Sequence, residues 1–180
     1  HSLRSALAIA EHLGEDRPHW EEKGKRLIQV LKNNPEAFAP KERWAMDWYY
    51  PVLTGVLQGT TGLDRLNSKR EEFEIAHKGI RCVSDRPWVT TAETCECAMA
   101  YLAVGEQTHA IELFTRIQDY RDSSGRYLTG VVYPENISFP ENEYSTYSAA
   151  AVILAADAIQ GETQAASMFA DHTFLPSLDE

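Results

Sequence analysis

Four short marks divide the chain: EHLGED at Gly14, VLQGTT at Gly59, LAVGEQ at Gly105 and AIQGET at Gly161. At each, an apolar run stops at a glycine, the residue that takes the left-handed conformation ending a helix. The Glu or Thr that follows suits the start of another helix. Each mark therefore reads as the tight turn of a helical hairpin. Successive glycines lie 45, 46 and 56 residues apart, a spacing that fits helix-pair repeats.

The two partners of each hairpin differ. LRSALAIAEHL, YYPVLTGVL, ETCECAMAYLAV and TYSAAAVILAADAI carry small and aliphatic residues on more than one face. HWEEKGKRLIQVLKN, LDRLNSKREEFE and EQTHAIELFTRIQDY are amphipathic, with apolar positions every three or four residues. A helix apolar all round is buried on all sides, and an amphipathic one covers it. The expected fold is therefore all-α: an α/α toroid, or an arc of one, of about four hairpins with apolar inner and amphipathic outer helices. Residues 1–180 read as a single such domain. The only β-like stretch is YLTGVVY, inside GRYLTGVVYPENISFPEN, whose glycines and prolines suggest a long loop with a short ribbon.

Charge and cysteine usage narrow the function. A formal net charge of −10 opposes binding to nucleic acid or an anionic membrane, because either needs a basic face. No apolar run approaches the roughly 20 residues that span a bilayer. The three cysteines, Cys82, Cys95 and Cys97, are odd in number and two are misplaced for pairing, so a reducing, cytoplasmic setting is expected. His77 near Cys82 is too sparse a set for zinc, and no metal or cofactor is expected.

The unusual residues precede the apolar helices: APKERWAMDWYY, GIRCVSDRPWVTTAETCE and YPENISFPENEYSTYS. In a toroid these lead-in loops converge on one rim of the central cavity. Aligning the repeats puts Asp47, Glu93 and Ser145 in matching register at three helix starts. Asp47 suits an N-cap, with Pro51 in the first turn. Thr90 and Glu93 match a capping box. Glu96 has no capping role, and a carboxylate in an apolar helix costs several kcal/mol if buried unpaired. It should face the cavity or pair with Arg81 or Arg86. Trp44, Trp48, Tyr49, Tyr50 and Trp88 suit either the core or a ligand platform, since aromatic faces stack on sugars and prenyl chains alike.

HSLRSALAIAE, RWAMDWYYPVLTG, GIRCVSDRPWVTTAETCE and YSTYSAAAVILAADA resemble segments of a group of bacterial proteins described as prenyltransferase-like or squalene-cyclase-like. The likeness covers nearly the whole chain, and MDWYYPVL with IRCVSDRPWVT is its most specific part. It implies an α/α toroid of six hairpins of which this chain is the C-terminal part, associated with N-terminal hairpins or with further copies of itself. The same superfamily holds terpene cyclases, protein prenyltransferases and six-hairpin glycosidases and lyases, so the fold alone assigns no reaction. The D-x-D-D motif of class II cyclases is absent, as are the contexts that hold a prenyltransferase's zinc.

Three functions stay open. A glycosidase-like enzyme would use Asp47 with Glu93 or Glu96 as an acid/base pair, about 6.5–9.5 Å apart for inversion. Trp48, Tyr49 and Trp88 would stack on an oligosaccharide in the cavity, Arg81 and Arg86 would bind its anionic groups, and Asp85, Glu143 and Tyr144 would line the same mouth. An isoprenoid-binding or isoprenoid-transforming protein would use the same aromatics around an apolar tunnel. A non-catalytic scaffold would leave the carboxylates as caps and salt-bridge partners.

Overall fold

The computed structural model describes residues 1–178. The chain is helix-rich and carries two small antiparallel sheets, so the all-α expectation is corrected in that respect. In order it forms α1 (Ser2–His12), α2 (Pro18–Asn33), α3 (Ala45–Leu53), α4 (Gly59–Ser68) and α5 (Arg70–Phe73). Then come β1 (Glu74–Ile75), β2 (Gly79–Ile80), β3 (Trp88–Thr90), α6 (Thr91–Ala103) and α7 (Gln107–Arg116). β4 (Gly130–Val132), β5 (Ile137–Ser138), α8 (Thr146–Gln160) and α9 (Ser167–Ala170) complete the described chain.

α6 is the centre of the packing, flanked by α3, α7 and α8. Ten of its thirteen residues are buried, Cys95, Cys97, Ala98 and Ala100 completely, as its all-round apolar sequence requires. Trp48, Leu66, Phe73 and Leu113 close the core around it. α8 is equally apolar, yet only one side is covered: Ala155 is buried while Ile153 is 68% exposed. α1 likewise buries only Arg4 and Ala10. Among the described residues no helix is long and apolar enough to cross a membrane.

Three of the four glycine turns stand where the sequence places them, with positive φ at Gly14, Gly105 and Gly161. The second does not. α3 ends at Leu53, Gly55 and Gly59 both take positive φ, and Gly59 opens α4 instead of closing α3. Pro51 explains the early stop, since it lies inside α3 and supplies no N–H to the carbonyl of Asp47 four residues back. Arg65 on α4 fills that gap, donating from Nη2 to the Asp47 carbonyl at 2.8 Å and from Nε to the Trp48 carbonyl at 3.0 Å. LDRLNSKREEFE is also not one helix, because the backbone breaks at Lys69 between α4 and α5.

The sheets are short. β1 pairs with β2, and β3, β4 and β5 form one three-stranded antiparallel sheet with Val89 opposite Val131 and Val131 opposite Ser138. The expected ribbon is β4–β5, while β1, β2 and β3 had no alternating pattern to announce them.

Backbone hydrogen bonds stitch the lead-in loops into one end of the molecule. The Ala45 N–H donates to the Cys82 carbonyl at 3.0 Å, joining the start of α3 to the loop before α6. The Thr91 N–H donates to the Thr129 carbonyl at 3.0 Å, and the Thr129 N–H to the Glu143 carbonyl at 2.9 Å, joining α6 to the approach of α8. This ladder places the starts of α3, α6 and α8 side by side.

A candidate site at a buried glutamate

Glu96 stands in the second turn of α6 and is only 8% exposed. Of the two expected outcomes, facing a cavity or pairing with Arg81 or Arg86, the arginine pairing is not made among the described residues. Instead the Tyr49 hydroxyl donates to Oε2 at 2.5 Å and the Tyr147 hydroxyl donates to Oε1. The Tyr50 hydroxyl stands 3.5 Å from Oε1. Tyr49 and Tyr50 are consecutive on α3, about 100° apart around the helix, and Tyr147 belongs to the first turn of α8. Ser145 fixes that turn by accepting from the Ser148 N–H at 3.1 Å. Three helices thus converge on one carboxyl group.

Burial is the main force on its proton, raising the Glu96 pKa above that of an ordinary glutamate. The tyrosine hydroxyls act the other way, and the nearby charge of Glu93 adds to the increase. The same enclosure raises the Tyr49, Tyr50 and Tyr147 hydroxyls, through burial and the Glu96 charge.

Glu93 lies one turn nearer the start of α6 and is half-buried. The expected capping box is not made: Thr90 is the N-cap residue, but its side chain caps nothing and its buried Oγ1 lacks a partner. The Glu93 side chain has no hydrogen bond or ion pair among the described residues. A free carboxylate therefore stands one turn from a buried carboxyl, on the same side of α6.

Asp47 is not the N-cap of α3. Trp44 holds that place, and Asp47 is third in the helix, the position Glu93 holds in α6. Its carboxylate stands 3.9 Å from Arg65 and belongs to the α3–α4 contact. Ser145 is a cap, so it matches Trp44 and Thr90, and the predicted register with Asp47 and Glu93 is corrected by three residues.

The remaining expected residues divide into core, loop and rim. Trp48 is 1% exposed, stacks on Phe73 at 5.5 Å and donates through Nε1 to the Arg65 carbonyl at 2.8 Å, so it is core and presents no face to a ligand. Tyr49 is fully buried and acts only through its hydroxyl, which overturns its reading as a stacking platform. Arg81 is spent on its own loop, donating to the carbonyls of Ser84 at 3.2 Å and of Glu72. Asp85 pairs with Arg43 at 3.0 Å. Arg86 lies 6.0 Å from the Trp88 ring, which stacks on Phe139 at 4.3 Å. Glu143 accepts from the Thr129 hydroxyl at 2.8 Å, and Tyr144 lies under Arg126 at 4.2 Å.

Tyr147 is the member of this cluster that the sequence did not announce. It sits in YSTYS, a segment whose small polar residues read as a helix start, and nothing local ties it to an acid 51 residues away. A second acid cluster is structural: Glu74 accepts from Arg116 at 2.6 Å, His109 at 3.0 Å and Arg70 at 2.9 Å, locking β1 to α7. Among the described residues no group of three acid, histidine or cysteine side chains is placed to hold a metal. A cleft of about 490 Å³ beside Leu7, Glu15, Arg17 and Leu178 touches none of the acids at the α6 start.

The sequence matches no protein-family model. It is similar to an MMP endo-(1,4)-3-O-methyl-alpha-D-mannosidase of Mycolicibacterium hassiacum, with 46% identity over 169 residues. That alignment takes in 94% of this chain and 47% of the relative, so the chain spans about half the length of the curated relative it matches.

Proposed function

We propose that this chain carries acid/base machinery of a glycoside hydrolase, and that the substrate is an α-linked mannoside polymer bearing 3-O-methyl groups, cleaved internally. The observation that supports the chemistry is the pairing of Glu96, buried with a raised pKa, with Glu93, half-buried and unpartnered, one turn apart. The substrate class rests on the mannosidase relative. The fold that suits this reading is an α/α toroid in which α3, α6 and α8 are inner helices, with this chain as one domain of it.

Glycoside cleavage needs one carboxyl that keeps its proton for the leaving oxygen and another that is ionised. Environment can divide the two roles, since like charges one turn apart raise the proton affinity of the more buried group. Glu96 is then the proton source. Glu93 is the ionised group, serving water or the developing positive charge at C1. Residues i and i+3 lie about 5–6 Å apart at Cβ, so the two side chains serve one site. Asp47, engaged with Arg65, has no step in this scheme.

The reading is tested by incubating the protein that carries this sequence with (1,4)-linked 3-O-methylmannose oligosaccharides and measuring new reducing ends. The expected result is internal cleavage, lowered at least about 100-fold by Glu96→Gln and by Glu93→Gln. Cleavage by both variants at the unmodified rate would refute the assignment.

A further inference from the structure

Glu96 has a difficulty as a direct proton donor. It is 8% exposed, and both of its oxygens are covered by tyrosine hydroxyls. A glycosidic oxygen cannot reach either of them without displacing a phenol. The three phenols are not equivalent, however. Tyr49 is completely buried, Tyr50 is 36% exposed with its hydroxyl 3.5 Å from the carboxyl, and Tyr147 is 53% exposed while in direct hydrogen-bond contact with it. Tyr147 alone combines a solvent-facing ring with a close bond to Glu96.

We propose that Tyr147 is a catalytic residue: its hydroxyl carries the proton from Glu96 to the glycosidic oxygen. This rests on the hydrolase reading above. The transfer is concerted. With Glu96 protonated, the Glu96–Tyr147 hydrogen bond reverses, so that the carboxyl donates to Tyr147 Oη and the Tyr147 hydroxyl turns to the glycosidic oxygen. The Glu96 carboxyl hydrogen then passes to Tyr147 Oη as the hydroxyl hydrogen of Tyr147 passes to that oxygen. The C1–O bond breaks, its electron pair staying on that oxygen. Water adds at C1 and gives a proton to Glu93, and exchange with solvent then removes that proton from Glu93 and returns one to Glu96. The tyrosine never becomes a phenolate, which agrees with its raised pKa beside the Glu96 charge. Tyr50, which shares the solvent edge of the cluster, holds Tyr147 in place.

The test compares two leaving groups in the protein that carries this sequence. One substrate is a (1,4)-linked 3-O-methylmannose oligosaccharide, whose leaving sugar needs protonation. The other is its 2,4-dinitrophenyl glycoside, whose leaving group departs without it. Tyr147→Phe should slow the first by about 10²- to 10⁴-fold, the span of general-acid catalysis, and the second by less than about tenfold. The ring is exposed, so the variant should fold and lose only about the stability that one hydrogen bond supplies, and Tyr50→Phe should have the smaller effect on the oligosaccharide. Equal slowing of both substrates would make Tyr147 merely structural and overturn the relay. No slowing of either, or a Tyr50→Phe effect as large as that of Tyr147→Phe, would also overturn it. Glu96→Gln in the same panel separates the two ideas: if it is inactive on the oligosaccharide while Tyr147→Phe is not, the relay fails and the hydrolase reading stands. If the unmodified protein cleaves neither substrate, both fail.

Discussion

At the scale of single residues, the sequence announced that Glu96 was costly and could not say what relieved the cost. An acid in TCECAMAYLAV demands a partner, and the obvious ones were the arginines of the preceding loop. Tyrosines relieve it differently, since hydroxyls satisfy a buried carboxyl in either protonation state without adding charge. Two of them, Tyr49 and Tyr50, were visible as oddities of WAMDWYYP, but their target 46 or 47 residues away was not. The sign of the pH effect follows from the raised pKa. The folded protein holds a proton that the unfolded chain releases near pH 4.5, so stability falls as pH rises from there through the folded pKa. Glu96→Gln should abolish that fall in thermal melts between pH 4 and 7; an unchanged profile would contradict the burial argument. Asp47→Asn, by contrast, removes a half-exposed partner 3.9 Å from Arg65. It should shift stability by no more than about 1 kcal/mol and leave hydrolysis unchanged. A large loss of turnover would return Asp47 to the mechanism.

At the scale of elements, helix existence was legible because apolar periodicity and glycine stops are local signals. Where they failed at the second mark, Pro51 ends α3 early at Leu53, and Arg65 donates to the carbonyl that Pro51 leaves without a helical partner. A Cβ on Gly55 would stand 3.0 Å from the His172 ring, at a φ of +76°. Gly55→Ala should therefore cost about 1–2 kcal/mol or more in denaturant unfolding, above the cost of Gly14→Ala, which meets open space. Strands of two or three residues leave no alternation to read, which is why β1, β2 and β3 were missed. The link from β1 to α7 has its own pH signature. Burial raises the Glu74 pKa, but His109, Arg116 and Arg70 outweigh it and bring the pKa down to about 2. A lowered carboxylate pKa stabilises the fold above the unfolded value of 4.5, and the effect is lost as pH falls toward 2. Glu74→Gln should cost about 3 kcal/mol at neutral pH and flatten the acid limb of unfolding; an unchanged acid limb would contradict the network's role.

At the scale of the whole molecule, a hydrogen-bonded ladder joins the starts of α3, α6 and α8. What the repeat could not show is that its residues face different ways. Trp48 and Arg65 point into the α3–α4 contact, Asp85 and Glu143 lie outside, and only Glu93, Glu96 and the three tyrosines gather. That gathering is the central claim: helices from three separate hairpin repeats enclose one carboxyl so that its pKa is raised. The most direct test is a ¹³C NMR titration of the Glu96 side-chain carboxyl in the unmodified protein and in Glu93→Gln. The account predicts a midpoint above the ordinary glutamate value of 4.5 that moves down when the neighbouring charge is removed. A midpoint at or below 4.5, indifferent to Glu93, would contradict it.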